Sequence, residues 1–102
     1  MRRKIEDELV AIGIYPNLRG FDYICMIVEE IISSNMEIKK ITAVYYDVAK
    51  KKNTTAAGVE RAIRHAISKC DTYAVAGLDK SLSNSEFLYT LALNIKREVH
   101  ER

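Results

Sequence analysis

The chain contains little that would interrupt a helix and nothing that reads as a reaction centre. One proline and four glycines in 102 residues leave few forced breaks. A balance of 48% hydrophobic and 29% charged residues suits a folded helical domain and not a disordered chain. No apolar run approaches the roughly 20 residues that a membrane-spanning helix needs, so no membrane partner is expected. The N-terminal MRRKIEDELV follows its basic residues at once with Glu6, Asp7 and Glu8 and has no small-residue cleavage site. It is not a secretory signal, and a cytoplasmic location is expected.

Cys25 and Cys70 stand alone, without the paired spacing of zinc ligands or redox motifs. They read as two buried thiols in a reducing compartment, with no metal and no disulfide. His65 and His100 fall on different helices with no partner carboxylate or nucleophile. With no glycine-rich phosphate loop and no nucleophile elbow, catalysis has no address here, and no cofactor is implied. Repeats, low-complexity tracts and long linkers are also missing, which leaves one domain over residues 1–102.

What is present is a concentration of charge. The net charge is only +2, yet residues 39–69 hold eight basic and two acidic side chains, whereas residues 1–38 hold four basic and seven acidic ones. The last third, residues 70–102, is nearly balanced, with four basic and five acidic side chains. A polyanion would therefore meet one segment of this chain and not its whole surface.

That segment contains YYDVAKKKNTTAAGVERAIRHAI, residues 45–67, whose pattern is a DNA-binding helix-turn-helix extending over about 42–69. Tyr45, Val48 and Ala49 recur at helical spacing and leave Lys50 and Lys51 on the polar side. Asn53 tolerates the left-handed conformation that a sharp turn after a helix needs, and a threonine, Thr54 or Thr55, can cap the helix that follows. In that second helix Val59, Ile63, Ala66 and Ile67 line one face at i, i+4, i+7 and i+8. The opposite face carries Ala57, Glu60, Arg61, Arg64 and Ser68.

Arginine can pair bidentately with guanine, and glutamate can accept from the cytosine amino group, so Glu60, Arg61 and Arg64 are the candidate base readers. Lys50, Lys51 and Lys52 gather positive charge just before the turn, and His65, following Arg64, is a candidate flank or phosphate contact. The competing account is a solvated face stabilised by an i,i+4 pair between Glu60 and Arg64.

The rest of the chain reads as helices that support this motif. Ile5, Leu9 and Ile12 form a first stripe that stops at Gly13. After a turn at Asn17-Leu18-Arg19-Gly20, a second helix from about Phe21 to Ser34 buries Ile24, Ile27, Val28, Ile31 and Ile32. Tyr15, Phe21 and Tyr23 lie in the acidic part of the chain and are expected to pack in the core and turn, not to stack on bases. Lys39 and Lys40 precede the motif and are free to touch phosphates. Between Asp71 and Leu82 the periodicity weakens around a connection with at most a short helical turn. Ser83 and Glu86 are spaced as a capping box, opening a last helix whose inner stripe is Phe87, Leu91 and Ile95. Tyr89 and Leu93 fall off the stripe as scattered surface apolars or part of a dimer contact. The expected fold is all-α, a compact bundle of about five to six helices.

AKKKNTTAAGVERAIRHAI, residues 49–67, and NSEF, residues 84–87, resemble the C-terminal DNA-binding effector domain of the sporulation stage-zero response regulator of spore-forming bacteria. A weaker similarity covers most of the chain. The resemblance implies a helical effector domain whose second motif helix reads a box of the type TGNCGAA in the major groove. By position, Glu60, Arg61 and Arg64 would read bases, while Lys50, Lys51 and Asn53 to Thr55 would face phosphates.

Three departures stand out. Gly58 occupies a position where the family usually has arginine, and Lys52 replaces an aromatic residue. The connection from Cys70 to Ser83, where the family contacts the RNA polymerase sigma factor, is shorter. The family also joins this domain to a phosphorylatable receiver, and nothing like one precedes it in these residues. The expected function is a sequence-specific DNA-binding regulator of transcription, monomeric in free solution and paired as a homodimer on tandem sites. The alternative is a helical protein–protein adaptor of the same fold that has lost specific readout.

Overall fold

The second helix is the hub. In the computed structural model, which describes residues 1–37, 40–71, 78 and 81–100, five helices follow one another: α1 (Arg2–Ala11), α2 (Arg19–Ser33), α3 (Ile41–Lys51), α4 (Ala56–Ile67) and α5 (Asn84–His100). No strand occurs among the described residues. Helix α2 packs against each of the other four. Its isoleucine-rich face is wide enough for this because Ile24, Cys25, Ile27, Val28 and Ile31 are all fully buried. The radius of gyration, 12.5 Å, is what about 100 residues give when closely packed. None of these helices is long and apolar enough to cross a membrane.

Helix ends are set by local chemistry, and three of them use one solution. After α1 the chain turns at Gly13, with a φ of +91°, and the Ile14 amide donates back to the Leu9 carbonyl at 2.9 Å. After α2 Asn35 turns at +58° and the Met36 amide reaches the Ile31 carbonyl at 2.8 Å. After α3 Asn53 turns at +53° and the Thr54 amide reaches the Ala49 carbonyl at 2.9 Å. Each is a left-handed residue closing the helix with a long-loop hydrogen bond, which satisfies carbonyls that would otherwise have no partner.

Helix α5 opens on the expected capping box. The Ser83 amide donates to Glu86 Oε1 at 3.0 Å and the Glu86 amide donates to Ser83 Oγ at 3.2 Å. The hydrogen bond from the Ser83 amide foremost, and then the Ser83 side chain, hold the Glu86 carboxyl below the usual carboxylate range.

Several expectations change on folding. Helix α2 begins two residues earlier than the apolar pattern suggests, at Arg19, so Gly20 belongs to the helix and not to the turn before it. Tyr15 is 54% exposed and does not pack, whereas Phe21 is buried and Tyr23 lies against the core. Tyr89 also packs against the core, which removes it from the exposed apolar surface, while Leu93 stays partly exposed. The helical turn anticipated between Asp71 and Leu82 and the Lys39 side chain lie outside the described residues, as does the His100 side chain. Cys25 and Cys70 are both buried, as expected. No metal-ligand cluster occurs among the described residues.

Candidate nucleic-acid interface

Helices α3 and α4 with the turn Lys52–Thr55 form the helix-turn-helix. Its inner side is apolar: Tyr45, Val48 and Ala49 on α3 meet Val59, Ile63, Ala66 and Ile67 on α4, all buried. The turn is held at both ends. Asn53 supplies the left-handed residue described above, and Thr55 caps α4 by accepting the Gly58 amide on its hydroxyl oxygen at 3.0 Å. These bonds fix the direction in which α4 leaves the turn, and therefore which residues it presents outward.

The outward face of α4 carries Ala57, Glu60, Arg61, Arg64 and Ser68, all exposed. Glu60 and Arg64 do not form the i,i+4 ion pair of the competing account, and the Glu60 carboxylate has no ion-pair partner among the described residues. Arg61 likewise has no partner among them. Arg64 is held from below, its Nη1 donating to the Leu82 carbonyl at 2.6 Å. A guanidinium has five N–H donors, and a neutral carbonyl occupies one without cancelling the charge. One turn earlier, Asn84 Nδ2 donates to the Glu60 carbonyl at 3.1 Å, so the start of α5 braces the outward helix at two points.

A groove runs along each side of α4. On the side of α3 and α5, Thr42, Glu60, Arg64, Ser83 and Ser85 line a space of about 500 Å³. On the side of α2, Thr54, Arg61 and His65 face Asn17 and Arg19 across a space of about 420 Å³. The first groove gathers the candidate readers Glu60 and Arg64 with hydroxyls from the start of α5. Helical periodicity could not show the second, because Asn17 and Arg19 sit 42 or more positions before Arg61 and are brought beside it only by the packing of α2 on α4.

The remaining candidates separate. Lys50, Asn53, Thr54, Thr55 and His65 are exposed on or beside the motif. Lys51 is exposed too, but it lines a different groove, together with Glu29, Glu30 and Asp47. Lys52 is committed within the protein: its Nζ lies 2.6 Å from Asp22 Oδ2, and Arg2 binds the other oxygen of the same carboxylate. Burial alone would raise the Asp22 carboxyl; the hydrogen bonds from Lys52 and Arg2 overcome that and hold it below the ordinary aspartate value. The lysine at the position of the family's aromatic residue thus ties the turn to α2 by charge.

Residues 5–95 match the family described as sporulation initiation factor Spo0A C terminal. That family is a DNA-binding domain of a sporulation transcription factor, a regulatory domain and not an enzyme family. The match takes in all of α2, α3 and α4 and most of α1 and α5, the same residues that build the motif and hold its outward face in place. The chain belongs to the Spo0A C-terminal family.

Proposed function

We propose that the chain is a sequence-specific DNA-binding regulator of transcription that reads a short box of the TGNCGAA type by laying α4 in the major groove. Glu60, Arg61 and Arg64 are the base readers. Lys50, Asn53, Thr54, Thr55 and His65, with the α4 N-terminus, contact phosphates, while Lys52 contributes less because Asp22 holds it and Lys51 less because Glu29, Glu30 and Asp47 share its groove. The observation that carries this reading is the outward face of α4: two guanidinium groups and a carboxylate within about one and a half turns, without a mutual ion pair. Counterion release at the cationic side chains supplies most of the affinity, and the base readers supply discrimination.

A pair of copies on tandem boxes and a contact with the polymerase sigma factor through the 70–83 connection belong to the same proposal. A regulator of this kind works where the chromosome is. The adaptor alternative would require Arg61 and Arg64 to be consumed by carboxylates. Arg61 has no such partner among the described residues.

Fluorescence anisotropy on a duplex bearing the box and on a scrambled duplex, at two salt concentrations, tests the proposal. Box-selective, salt-sensitive binding supports it. Equal weak binding to both duplexes overturns it in favour of a protein partner.

A further inference from the structure

The groove on the α2 side of α4 is cationic and open. Its walls bring Arg19 and Asn17, from the start of α2 and the turn before it, opposite Thr54, Arg61 and His65, and no carboxylate lines it. Arg19 is exposed and has no hydrogen-bond or ion-pair partner among the described residues, so its donors are not spent on the fold. Gly58 lines the same groove without a side chain, and a Cβ there would meet the Thr54 and Thr55 hydroxyl oxygens at 2.9 and 3.1 Å. The neighbouring groove contains Arg19 again, with Lys52, Asn53 and Asp22; there Asp22 is already neutralised by Lys52 and Arg2.

Position is as important as charge. Arg19 adjoins Gly20, whose backbone touches α4 at Ala62, so the root of the arginine side chain is held at a set distance from the outward helix. An α-helix is about 10–12 Å across and a major groove about 12 Å wide, so a helix laid in the groove has a phosphate backbone running along each flank. The flank of α4 on the α2 side is this cationic groove.

We infer that Arg19, assisted by Asn17, is a phosphate anchor for DNA, gripping the backbone of one strand across the groove from Arg61 and His65. The anchor rests on the DNA-binding reading above. It moves part of the interface outside the helix-turn-helix, onto the start of α2. Arg19 here positions the duplex and reads no base.

The test compares the wild-type chain with Arg19→Ala and Arg19→Lys on box and scrambled duplexes between 50 and 200 mM salt. Removing one phosphate contact lowers the log–log salt slope by about 0.9, so the wild type should lose about 3–4 times more affinity over that range than Arg19→Ala. The loss should be the same on both duplexes, Arg19→Lys should retain most of the slope, and Arg19→Ala should melt like the wild type. A duplex with a methylphosphonate at the contacted flank should bind the wild type and Arg19→Ala alike. Wild-type slope and affinity in Arg19→Ala overturn the anchor while leaving the DNA reading intact. A loss confined to the box duplex makes Arg19 a base reader and overturns it as well. Absence of salt-sensitive binding by the wild type overturns both readings together.

Discussion

Gly20 on α2 and Ala62 on α4 are in backbone contact: a methyl group added at Gly20 would stand 2.3 Å from the Ala62 carbonyl oxygen and 2.7 Å from the Ala66 methyl. Neither neighbour is the end of a flexible side chain, so accommodation requires α4 to move. Gly20→Ala gains about 1 kcal/mol of helix propensity but incurs overpacking of roughly 1–3 kcal/mol or more. The expected net result is a lower Tm together with weaker box binding, because the displaced helix is the one that would enter the groove. A thermal melt that shows stabilisation would mean the two helices are not in contact.

Thr55 and Gly58 close the first turn of α4 through one hydrogen bond. Thr55→Ala should cost about 1 kcal/mol of stability by chemical denaturation. Thr55→Ser keeps the oxygen and should restore most of it. A cost shared equally by the serine variant would point to the methyl group and not to the cap.

Arg61 and Arg64 should separate in a paired experiment. Both alanine variants should lose about 1–3 kcal/mol of binding to the box and relax selectivity at one base position each. Only Arg64→Ala should also lower stability, by about 1 kcal/mol, since only Arg64 donates to the Leu82 carbonyl. Unchanged selectivity in both variants would remove α4 as the reading element.

Asp22 links charge, pH and DNA. Its folded-state pKa lies below the unfolded value of about 3.9, so its stabilising contribution is complete above that value and is lost as pH falls through the lower folded one. Asp22→Asn should flatten the acid limb of a stability–pH curve. The same change releases Lys52 from its 2.6 Å ion pair, and nonspecific DNA binding should rise with a salt slope steeper by up to about one unit. A slope that does not steepen would mean the freed ammonium does not reach a phosphate.

Lys50 and Lys51 are adjacent in sequence but not in surroundings. Lys51 shares its groove with Glu29, Glu30 and Asp47. Lys50→Ala should therefore reduce the salt slope by about one unit, and Lys51→Ala by less. Equal reductions would show that both lysines reach the backbone.

Much of this protein was legible from residue order alone, because its signals are local. Helical spacing of small apolar residues marked α3 and α4. Asn53, Thr54 and Thr55 marked the turn between them, Ser83 and Glu86 the start of α5, and the basic count of residues 39–69 the cationic segment. Those cues act over one or two turns of chain, so their physics needs no knowledge of what packs against them. Only the tertiary structure decided that Gly20 is a helix-contact residue and not a turn residue, that Lys52 belongs to Asp22, that Arg64 rests on Leu82, and that Asn17 and Arg19 line a groove with Arg61. Each depends on a neighbour 18 or more positions away. Such contacts come from how helices cross on the α2 hub, and the side-chain sequence of a single helix does not encode the crossing.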